Sequence, residues 1–255
     1  MLVNLTNCKT WDKSSTHSTP IIIVTYNREE ALRKCLLSLY NTTDHPIHII
    51  DNSCGSIDST LEWAKTLSNK IHINKNDQNI GKAASIQKHR DIIGKSQWFI
   101  SMDPDVIVKK NDINTLIKSA NCLLEKSYPI SLLAPTLNSG DNSFKKQIET
   151  GVLDMHKIGS IFHLENGLYI NEYLAGCLLL INRVFFDEIG GFKQQRIYGG
   201  DDGELSKLTL QNNMISVLNT NVECQHYRLD ETEEYITWKK NNVRGPTNQQ
   251  NPLDH

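Results

Sequence analysis

The sequence predicts an α/β protein with a doubly wound, mostly parallel sheet, and three observations predict this class. Short apolar runs alternate with amphipathic segments of helical period through the first 105 residues, as in a series of β-α-β units. The chain has 255 residues, which suits one large α/β domain, or at most two small ones. Its 38% of hydrophobic and 22% of charged residues are typical of a globular protein and exclude disordered and fibrous classes.

The first half of the chain supplies the clearest alternation. The expected strands cover residues 20–24, 47–50, 71–73 and 98–100, and the expected helices cover residues 29–40, 56–67 and 80–93. The first strand is apolar throughout, which favours burial on both faces of a parallel sheet. In the first helix, apolar residues recur with helical spacing at Ala31, Leu32, Cys35, Leu36 and Leu39. Gly94 is expected to end the third helix.

The second half is less regular. Strands are expected at 131–134, 174–181, 215–217 and 222–225, and helices at 113–124, 183–189, 201–210 and 232–240. Residues 138–170 are polar and interrupted by glycines, so we expect a loop-rich region there. Its suggested role is a lid over the acceptor, since long polar loops near such sites often have this role. An irregular arm at residues 1–18 and a mobile tail at 241–255 would flank a single domain of residues 19–240.

Charge and composition exclude several classes of protein. The formal net charge is −2, so the chain lacks the basic surface that binding to nucleic acid requires. No apolar run reaches the length of a transmembrane segment, and residues 1–19 lack the apolar core of a signal peptide. Six scattered cysteines without a CxxC pair indicate reduced thiols, so a cytoplasmic protein is expected. A peripheral membrane contact through the arm or the tail stays open.

Polar side chains follow the early strands at their carboxyl ends and also open the third helix. They are Thr25, Asn27 and Arg28 after the first strand, Asp51 after the second, Asp103 and Asp105 after the fourth, and Asn79, Gly81 and Lys82 at the helix. Because ligands bind at the carboxyl ends of strands in such sheets, these residues are expected to line one crevice. For each residue alone, the alternative is a turn or cap role, which Asp and Asn readily fill.

The pair Asp103 and Asp105 is a candidate cation site. Two carboxylates at this spacing beyond a strand end can converge on one hard cation, since Pro104 fixes the backbone between them. The alternative is a simple Asp-Pro turn. His226 ends the last predicted strand and would complete a mixed carboxylate and imidazole site for Mn²⁺ or Mg²⁺. For His226 the alternative is a purely structural role.

A second acidic cluster follows the glycine pair Gly199 and Gly200. It comprises Asp201, Asp202 and Glu204. Three acids in the first turn of a helix suit the helix dipole, which is the structural alternative. The dipole does not require the glycines, which permit unusual backbone angles and close approach of a ligand. The GxGxxG, GxxxxGK[ST] and GxSxG motifs are absent, so nicotinamide oxidoreductases, P-loop NTPases and α/β-hydrolases are not expected.

Together these motifs resemble the GT-A nucleotide-sugar glycosyltransferases, above all glycosyltransferase family 2, over roughly residues 20–228. Four segments of this chain resemble the nucleotide-binding half of that family. They are the first strand with its helix, the strand that ends at Asp51, the stretch from Asn79 to Lys82, and Asp103-Pro104-Asp105. Residues 174–204 resemble the acceptor motif of galactosyltransferase-like and chondroitin-polymerase-like enzymes, in which a Gly-Gly-Phe precedes a Gly-Gly-acid-acid segment.

The resemblance implies a GT-A fold, with a Rossmann-like nucleotide half at residues 19–105 and an acceptor half at residues 106–240. It implies a hexosyl- or N-acetylhexosaminyltransferase. The implied donor-binding residues are Thr25, Asn27, Arg28, Asp51, Asn79, Gly81, Lys82, Asp103 and Gly200. The implied ligands for Mn²⁺ or Mg²⁺ are Asp105, His226 and Asp103, and the implied catalytic base is Asp202, with Asp201 beside it.

The resemblance also sets expectations for the reaction. Asp51 would accept a hydrogen bond from the imide N–H of uracil, so a UDP-sugar is the expected donor. With Asp202 as the base, single displacement would invert the anomeric centre. The acceptor stays open among a glycan, a lipid-linked sugar, a protein and a small molecule. The segment around Asp202 and His226 is also similar to polypeptide N-acetylgalactosaminyltransferases, so a retaining enzyme of the same fold is one alternative. A non-catalytic nucleotide- or sugar-binding module is another.

Overall fold

The computed structural model describes residues 18–40, 42–138, 161–193, 197–227 and 233. Apart from Ser18 and Glu233, the predicted N-terminal arm, last helix and tail lie outside the described residues. The first half contains the strands and helices that the sequence predicts, although the third helix is shorter than predicted. Its elements are β1 (Ile21–Thr25), α1 (Glu29–Tyr40), β2 (Ile47–Asp51), α2 (Asp58–Leu67), β3 (Ile71–Lys75), α3 (Lys82–Lys88) and β4 (Trp98–Met102).

The second half begins with a short strand and ends with a long one. Its elements are β5 (Val106–Ile107), α4 (Asp112–Glu125), β6 (Ile130–Asn138), β7 (Ile161–Glu165), β8 (Leu168–Asn171), β9 (Leu178–Asn182), α5 (Arg183–Glu188), α6 (Asp201–Gln211) and β10 (Ile215–His226). The two short strands predicted at 215–217 and 222–225 are one strand, β10, with an irregular register between Asn219 and Glu223. The strand predicted at 174–181 begins only at Leu178.

Two predicted elements differ in kind from those observed. The helix predicted at 80–93 is divided, because α3 ends at Lys88 and a 3-10 turn (Arg90–Ile93) follows before Gly94, whose φ is 61°. Part of the region predicted to be loop-rich is a hairpin of β7 and β8. Asn166 and Gly167 form its two-residue turn with φ of 43° and 76°, the positive angles that an Asn-Gly hairpin turn requires.

The ten strands within the described residues form one sheet in the order β3-β2-β1-β4-β9-β6-β10-β8-β7, with β5 paired to β10. The first four in this order are mutually parallel, while β9, β8 and β5 run against their neighbours. The prediction of a mostly parallel sheet is therefore confirmed. The carboxyl ends of β1, β2 and β4 lie side by side as a result.

Two apolar layers cover the two faces of the sheet. Ile21 and Ile23 of β1 belong to the layer that contains α1, α2 and α4. Ile22 and Val24 belong to the layer that contains α3, α5 and α6. Because successive side chains of a strand point to opposite faces, an apolar run buries residues in both layers. The sheet is doubly wound, as predicted. No helix within the described residues is long and apolar enough to cross a membrane.

A histidine pair in the sheet makes a prediction about acid stability. His48 of β2 stacks on His72 of β3 with ring centroids 4.9 Å apart. The pKa of His48 is lowered from 6.5 to about 4. Burial is the larger cause, and the neighbouring His72 adds to it. The unfolded chain therefore binds this proton more readily, so the stability from a neutral His48 is present above about pH 6.5 and is lost as the pH falls towards 4.

His48→Phe, which keeps a ring against His72, is expected to flatten this part of the pH dependence. The measurement is the free energy of unfolding in urea between about pH 7 and about pH 4. His163→Phe, at an exposed position on β7, is the matched control and should leave the slope unchanged. An equal slope for His48→Phe and the wild-type protein would contradict the prediction.

Candidate active site

The ends of β1 and β2 form a buried polar cluster. Thr25 and Asp51 are register neighbours, and each is 1% exposed. Asp51 Oδ1 accepts a hydrogen bond from the Ser53 N–H at 2.8 Å, and Ser53 Oγ accepts one from the Asn27 N–H at 2.8 Å. Within the described residues, Asp51 Oδ2 and Thr25 Oγ1 have no hydrogen-bond partner. A buried oxygen left in this state costs about 1–3 kcal/mol, so a ligand donor that reached it would be favoured.

Arg28, at the start of α1, holds the second carboxylate of the Asp-Pro-Asp motif. Its guanidinium donates to Asp105 Oδ2 at 2.8 Å, with both side chains almost fully buried. The other oxygen of Asp105 lies 3.3 Å from His226 Nε2. Burial alone would raise the pKa of Asp105, but the contacts with His226 and Arg28 outweigh it and hold the pKa below its ordinary value. Asp105 is therefore an anion that two neighbours already contact.

Lys82 joins the donor-side and acceptor-side acids. The Asn79 side chain accepts from the Gly81 N–H at 3.0 Å, and this turn places Lys82 as the first residue of α3. Its ammonium lies 2.7 Å from Asp103 Oδ1, 2.6 Å from the Gly176 carbonyl oxygen and 3.7 Å from Asp201 Oδ2. Burial lowers the pKa of Lys82, but the charges of the two aspartates outweigh it, so the net pKa is raised. A cation of the chain thus sits between the two acidic motifs.

Asp202, at the start of α6, is held by three hydrogen bonds. Oδ2 accepts from the Tyr173 hydroxyl at 2.5 Å and from the Gly176 N–H at 3.1 Å, and Oδ1 accepts from the Gly203 N–H at 2.8 Å. A Cβ atom added at Gly176 would lie 3.1 Å from Asp202 Cβ, so a glycine permits this close approach. Gly200, with φ of 90°, turns the chain immediately before the helix.

Asp201 differs electrostatically from most surface carboxylates. Burial raises the pKa of Asp201, and the negative charges of Asp202 and Asp103 raise it further. The positive charge of Lys82 lowers it but does not cancel these effects, so the pKa stays above the ordinary 3.8. Two adjacent carboxylates at one helix start thus have different partners. Asp202 is anchored by hydrogen-bond donors, whereas Asp201 faces the Lys82 ammonium.

The geometry for a metal ion involves a residue that sequence reasoning missed. Within the described residues, ligand atoms of Asp103, Cys177 and His226 all lie within 4.8 Å of one another. Asp105 is not part of this group, although the sequence places it among the ligands. Carboxylate, thiol and imidazole together can hold a divalent ion, so the donor set fits a metal site. No local sequence pattern marks Cys177 as a ligand, because it is the antiparallel pairing of β9 with β4 that brings it beside Asp103.

The sequence-predicted residues therefore fall into three neighbouring groups. Thr25, Asn27 and Asp51 line the ends of β1 and β2. Lys82 meets Asp103 and Asp201 where α3, β4 and α6 converge. Asn79 and Gly81 lie just before α3, and Gly200 and Asp202 lie at the start of α6. Arg28, Asp105 and His226 lie beside Asp103. Tyr173, which holds Asp202, is a further residue that sequence reasoning missed, since it lies in the irregular segment before β9.

Comparison with known proteins defines the class. The profile of glycosyl transferase family 2 matches residues 21–157. The N-acetylglucosaminyl-diphospho-decaprenol L-rhamnosyltransferases of two Mycobacterium tuberculosis strains, CDC 1551 / Oshkosh and H37Rv, are each 22% identical over 241 residues, which is 84% of this chain and 77% of theirs. The chain is a glycosyltransferase with a GT-A fold. It belongs to glycosyl transferase family 2.

Solved structures share the fold at low sequence identity. GalNAc-T7, determined with UDP, GalNAc and Mn²⁺, matches with a TM-score of 0.64 and 17% identity over 82% of this chain. The mannosyltransferase PcManGT from Pyrobaculum calidifontis, determined with GDP-Man and Mn²⁺, matches with a TM-score of 0.62 and 13% identity over 88% of this chain. The chain corresponds to 44% and 60% of the lengths of these two proteins.

Proposed function

We propose that this protein transfers a sugar from a nucleotide-sugar to an acceptor hydroxyl by single displacement, with inversion at the anomeric carbon. The observation that supports this most directly is the convergence of the two acidic motifs on Lys82, whose ammonium lies 2.7 Å from Asp103 and 3.7 Å from Asp201. A donor diphosphate and an acceptor hydroxyl must meet in one place for direct transfer. The end of β4 and the start of α6, which both approach Lys82, would form such a place.

The donor half of the proposed site lies within residues 19–105. The buried Asp51 oxygen without a partner in the described structure would accept a hydrogen bond from an N–H of the nucleobase. An imide N–H, as in uracil, matches that acceptor, so UDP is the proposed nucleotide. GalNAc-T7 was determined with UDP, whereas the mannosyltransferase was determined with GDP-Man, so fold similarity does not choose between nucleotides.

The leaving diphosphate needs positive charge, and the chain offers two sources. Lys82 and Arg28 both lie at the proposed diphosphate side, and Lys82 keeps its proton because nearby aspartates raise its pKa. A bound Mn²⁺ or Mg²⁺ would add Lewis-acid stabilisation of the same negative charge. The net charge of the chain is only −2, so local cations rather than an overall basic field would attract the donor.

The acceptor half lies within residues 106–240, and Asp202 is the proposed general base. Its carboxylate would take the proton of the attacking hydroxyl from a distance of about 3 Å. Tyr173 and the Gly176 N–H fix the carboxylate in one orientation. The curated relatives are named as transferases acting on an N-acetylglucosaminyl-diphospho-decaprenol. A lipid-linked sugar is therefore the first acceptor to test, before free glycans, proteins and small molecules.

Nucleotide binding tests the donor half without knowledge of the acceptor. Thermal unfolding is measured with UDP, GDP, CDP and TDP, each with Mn²⁺ and with EDTA, because a ligand that binds the native state raises the melting temperature. Stabilisation by UDP only when Mn²⁺ is present is expected. Stabilisation by another nucleotide would contradict the role of Asp51 in uracil recognition but support a nucleotide-sugar site. No stabilisation by any of them would contradict the proposed donor site.

Tyr173→Phe tests whether the anchor of Asp202 matters for transfer. The change deletes the hydroxyl that donates to Asp202 and keeps the ring. A hydrogen bond to a charged group contributes about 1.5–3 kcal/mol, so kcat is expected to fall about tenfold or more while nucleotide affinity is unchanged. Tyr169→Phe, at a half-buried position of β8, is the matched control. A wild-type kcat for Tyr173→Phe would show that this bond does not position the base.

A further inference from the structure

A buried hydrogen-bond network adjoins the residues of the proposed donor site. Its core members are Asn52, Asn76 and Ser85, none of which is more than 3% exposed. Asn52 follows the end of β2, Asn76 follows the end of β3, and Ser85 lies on α3. Three separate elements thus bring a polar side chain to one point in the interior. Because buried polar groups need hydrogen-bond partners, the contacts made there decide how the three elements are held together.

The Asn76 side chain is the centre of the network. Its Nδ2 donates to Asn52 Oδ1 at 2.8 Å and to Ser85 Oγ at 3.1 Å. Ser85 Oγ donates to the same Asn52 oxygen at 3.1 Å, which closes a ring of three hydrogen bonds. His89 Nε2 lies 3.1 Å from Asn76 Oδ1, and the ring nitrogen donates because this oxygen can only accept. A buried network that is paired in this way holds its members rigidly.

Each side of the network leads to a residue that the proposed donor site uses. The Asn76 N–H donates to the Asp51 carbonyl at 2.8 Å, and Asn52 is the residue directly after Asp51. On the other side, Ser85 lies in the first turn of α3, whose first residue is Lys82. Asp51 carries the buried oxygen proposed to receive the nucleobase, and Lys82 is a proposed cation for the diphosphate. The network therefore joins the two parts of the site that would contact opposite ends of one nucleotide.

The hydrogen bonds of the network distinguish it from the residues proposed to touch the nucleotide. Asp51 Oδ2 and Thr25 Oγ1 are buried without a hydrogen-bond partner in the described structure, so they stay available to a ligand. By contrast, both polar atoms of the Asn76 side chain and the Ser85 hydroxyl already have partners. A ligand that bound to Asn76 would have to break one of these bonds. This pairing favours an action of Asn76 through its neighbours over direct contact with a ligand.

We propose that Asn76 is a positioning residue for the donor nucleotide, which holds the strand end at Asp51 and the helix start at Lys82 at the separation that one nucleotide requires. The inference rests on the proposed function, since it concerns the donor site defined there. Two halves of a ligand gain affinity from being joined only when both can bind at once, and a fixed spacing in the site preserves that gain. Loss of the network should therefore weaken binding of the whole nucleotide more than binding of either half.

Binding of UDP and of its two halves, uridine and inorganic diphosphate, tests this role in the full-length protein with Mn²⁺. Titration calorimetry gives the affinity for UDP, and displacement of UDP gives the affinities for the halves. Asn76→Ala removes three side-chain hydrogen bonds. It is expected to lower the affinity for UDP about tenfold or more, while the affinities for uridine and diphosphate stay within about threefold of wild type. Ser85→Ala, which keeps a good helix former in α3, should produce the same pattern with a smaller loss.

Asn182→Ala is the matched control for a loss of stability alone. Asn182 is also a fully buried asparagine, and its side chain makes three hydrogen bonds with backbone groups. It pairs with Trp98, at the opposite end of β4 from Asp103. This variant should lower the free energy of unfolding but leave the affinity for UDP unchanged. Urea unfolding of each variant shows that it is folded and measures the stability it has lost.

The outcomes separate this inference from the proposed function. A wild-type affinity for UDP in Asn76→Ala would overturn the inference, and so would an equal loss of affinity for UDP and for its halves. An equal loss in Asn182→Ala would also overturn it, because the effect would then follow stability alone. In each of these cases the wild-type protein still binds UDP, so the proposed donor site stands. A wild-type protein that binds no nucleoside diphosphate would overturn that donor site, and the inference with it.

Discussion

Asp202→Asn is expected to lower the rate of sugar transfer by about 10²–10⁴-fold, which is the usual contribution of a general base. Asn has nearly the shape of Asp and can still accept hydrogen bonds from Tyr173 and Gly176, but it cannot take the acceptor proton. Nucleoside diphosphate binding should be nearly unchanged, because Asp202 belongs to the proposed acceptor half and not to the proposed donor half. The measurements are initial rates at saturating donor and the thermal shift with nucleotide.

Two neighbours of Asp202 serve as controls. Glu204→Gln removes a charge from the same helical turn and should leave the rate within a few-fold of wild type, which separates catalysis from a helix-dipole effect. Asp201→Asn tests the alternative base, whose raised pKa and contact with Lys82 distinguish it. If Asp202→Asn retains a rate within about tenfold of wild type, Asp202 is not the base. A larger loss in Asp201→Asn would move that role to Asp201.

Arg28→Met is expected to cost about 3–5 kcal/mol of stability, the usual effect of removing one partner of a buried ion pair. The Arg28 and Asp105 side chains are only 6% and 7% exposed, so water cannot replace the lost contact. His226 Nε2, which lies 3.3 Å from Asp105 Oδ1, would then be the neighbour left to the buried carboxylate within the described contacts. Because domains are stable by only about 5–15 kcal/mol, the loss should be visible as a markedly lower urea midpoint.

The chain provides a control with the same geometry at the surface. Arg90 and Asp187 are also 2.8 Å apart, but their side chains are 38% and 45% exposed. Arg90→Met should therefore cost no more than about 1 kcal/mol. The double variant Arg28→Met/Asp105→Leu should recover much of the loss, since it leaves no buried charge without a partner. Equal costs for Arg28→Met and Arg90→Met would show that burial of the Arg28–Asp105 pair is unimportant for stability.

The first half of the fold could be predicted because its signals are local. The apolar run of β1 and the helical spacing of α1 are contained in short segments, and parallel strands joined by helices place their polar ends along one edge. That rule was enough to predict a crevice lined by Asp51, Lys82 and Asp103. The acidic segment at Asp201 and Asp202 was found because two glycines precede it, and Gly200 does adopt a positive φ.

The second half was harder because its pairing is long-range. The hairpin of β7 and β8 does have a local signal, the Asn166-Gly167 turn, but the turn lies in a polar region that predicts loops. By contrast, β9 runs between β4 and β6 and opposite to both, and no local pattern fixes that insertion. The same insertion brings Cys177 to Asp103. Tyr173 reaches Asp202 across 29 positions of the chain.

The sequence by itself determined the class of fold, the family resemblance and most of the residues of the candidate site, because strand burial, helical period and glycine-flanked acids are properties of short segments. Only the tertiary structure decided which partner each of these residues has. It paired Asp105 with Arg28 and His226, Lys82 with Asp103 and Asp201, and Asp202 with Tyr173. These contacts depend on the order and direction of strands distant in sequence, and short-range patterns do not specify them.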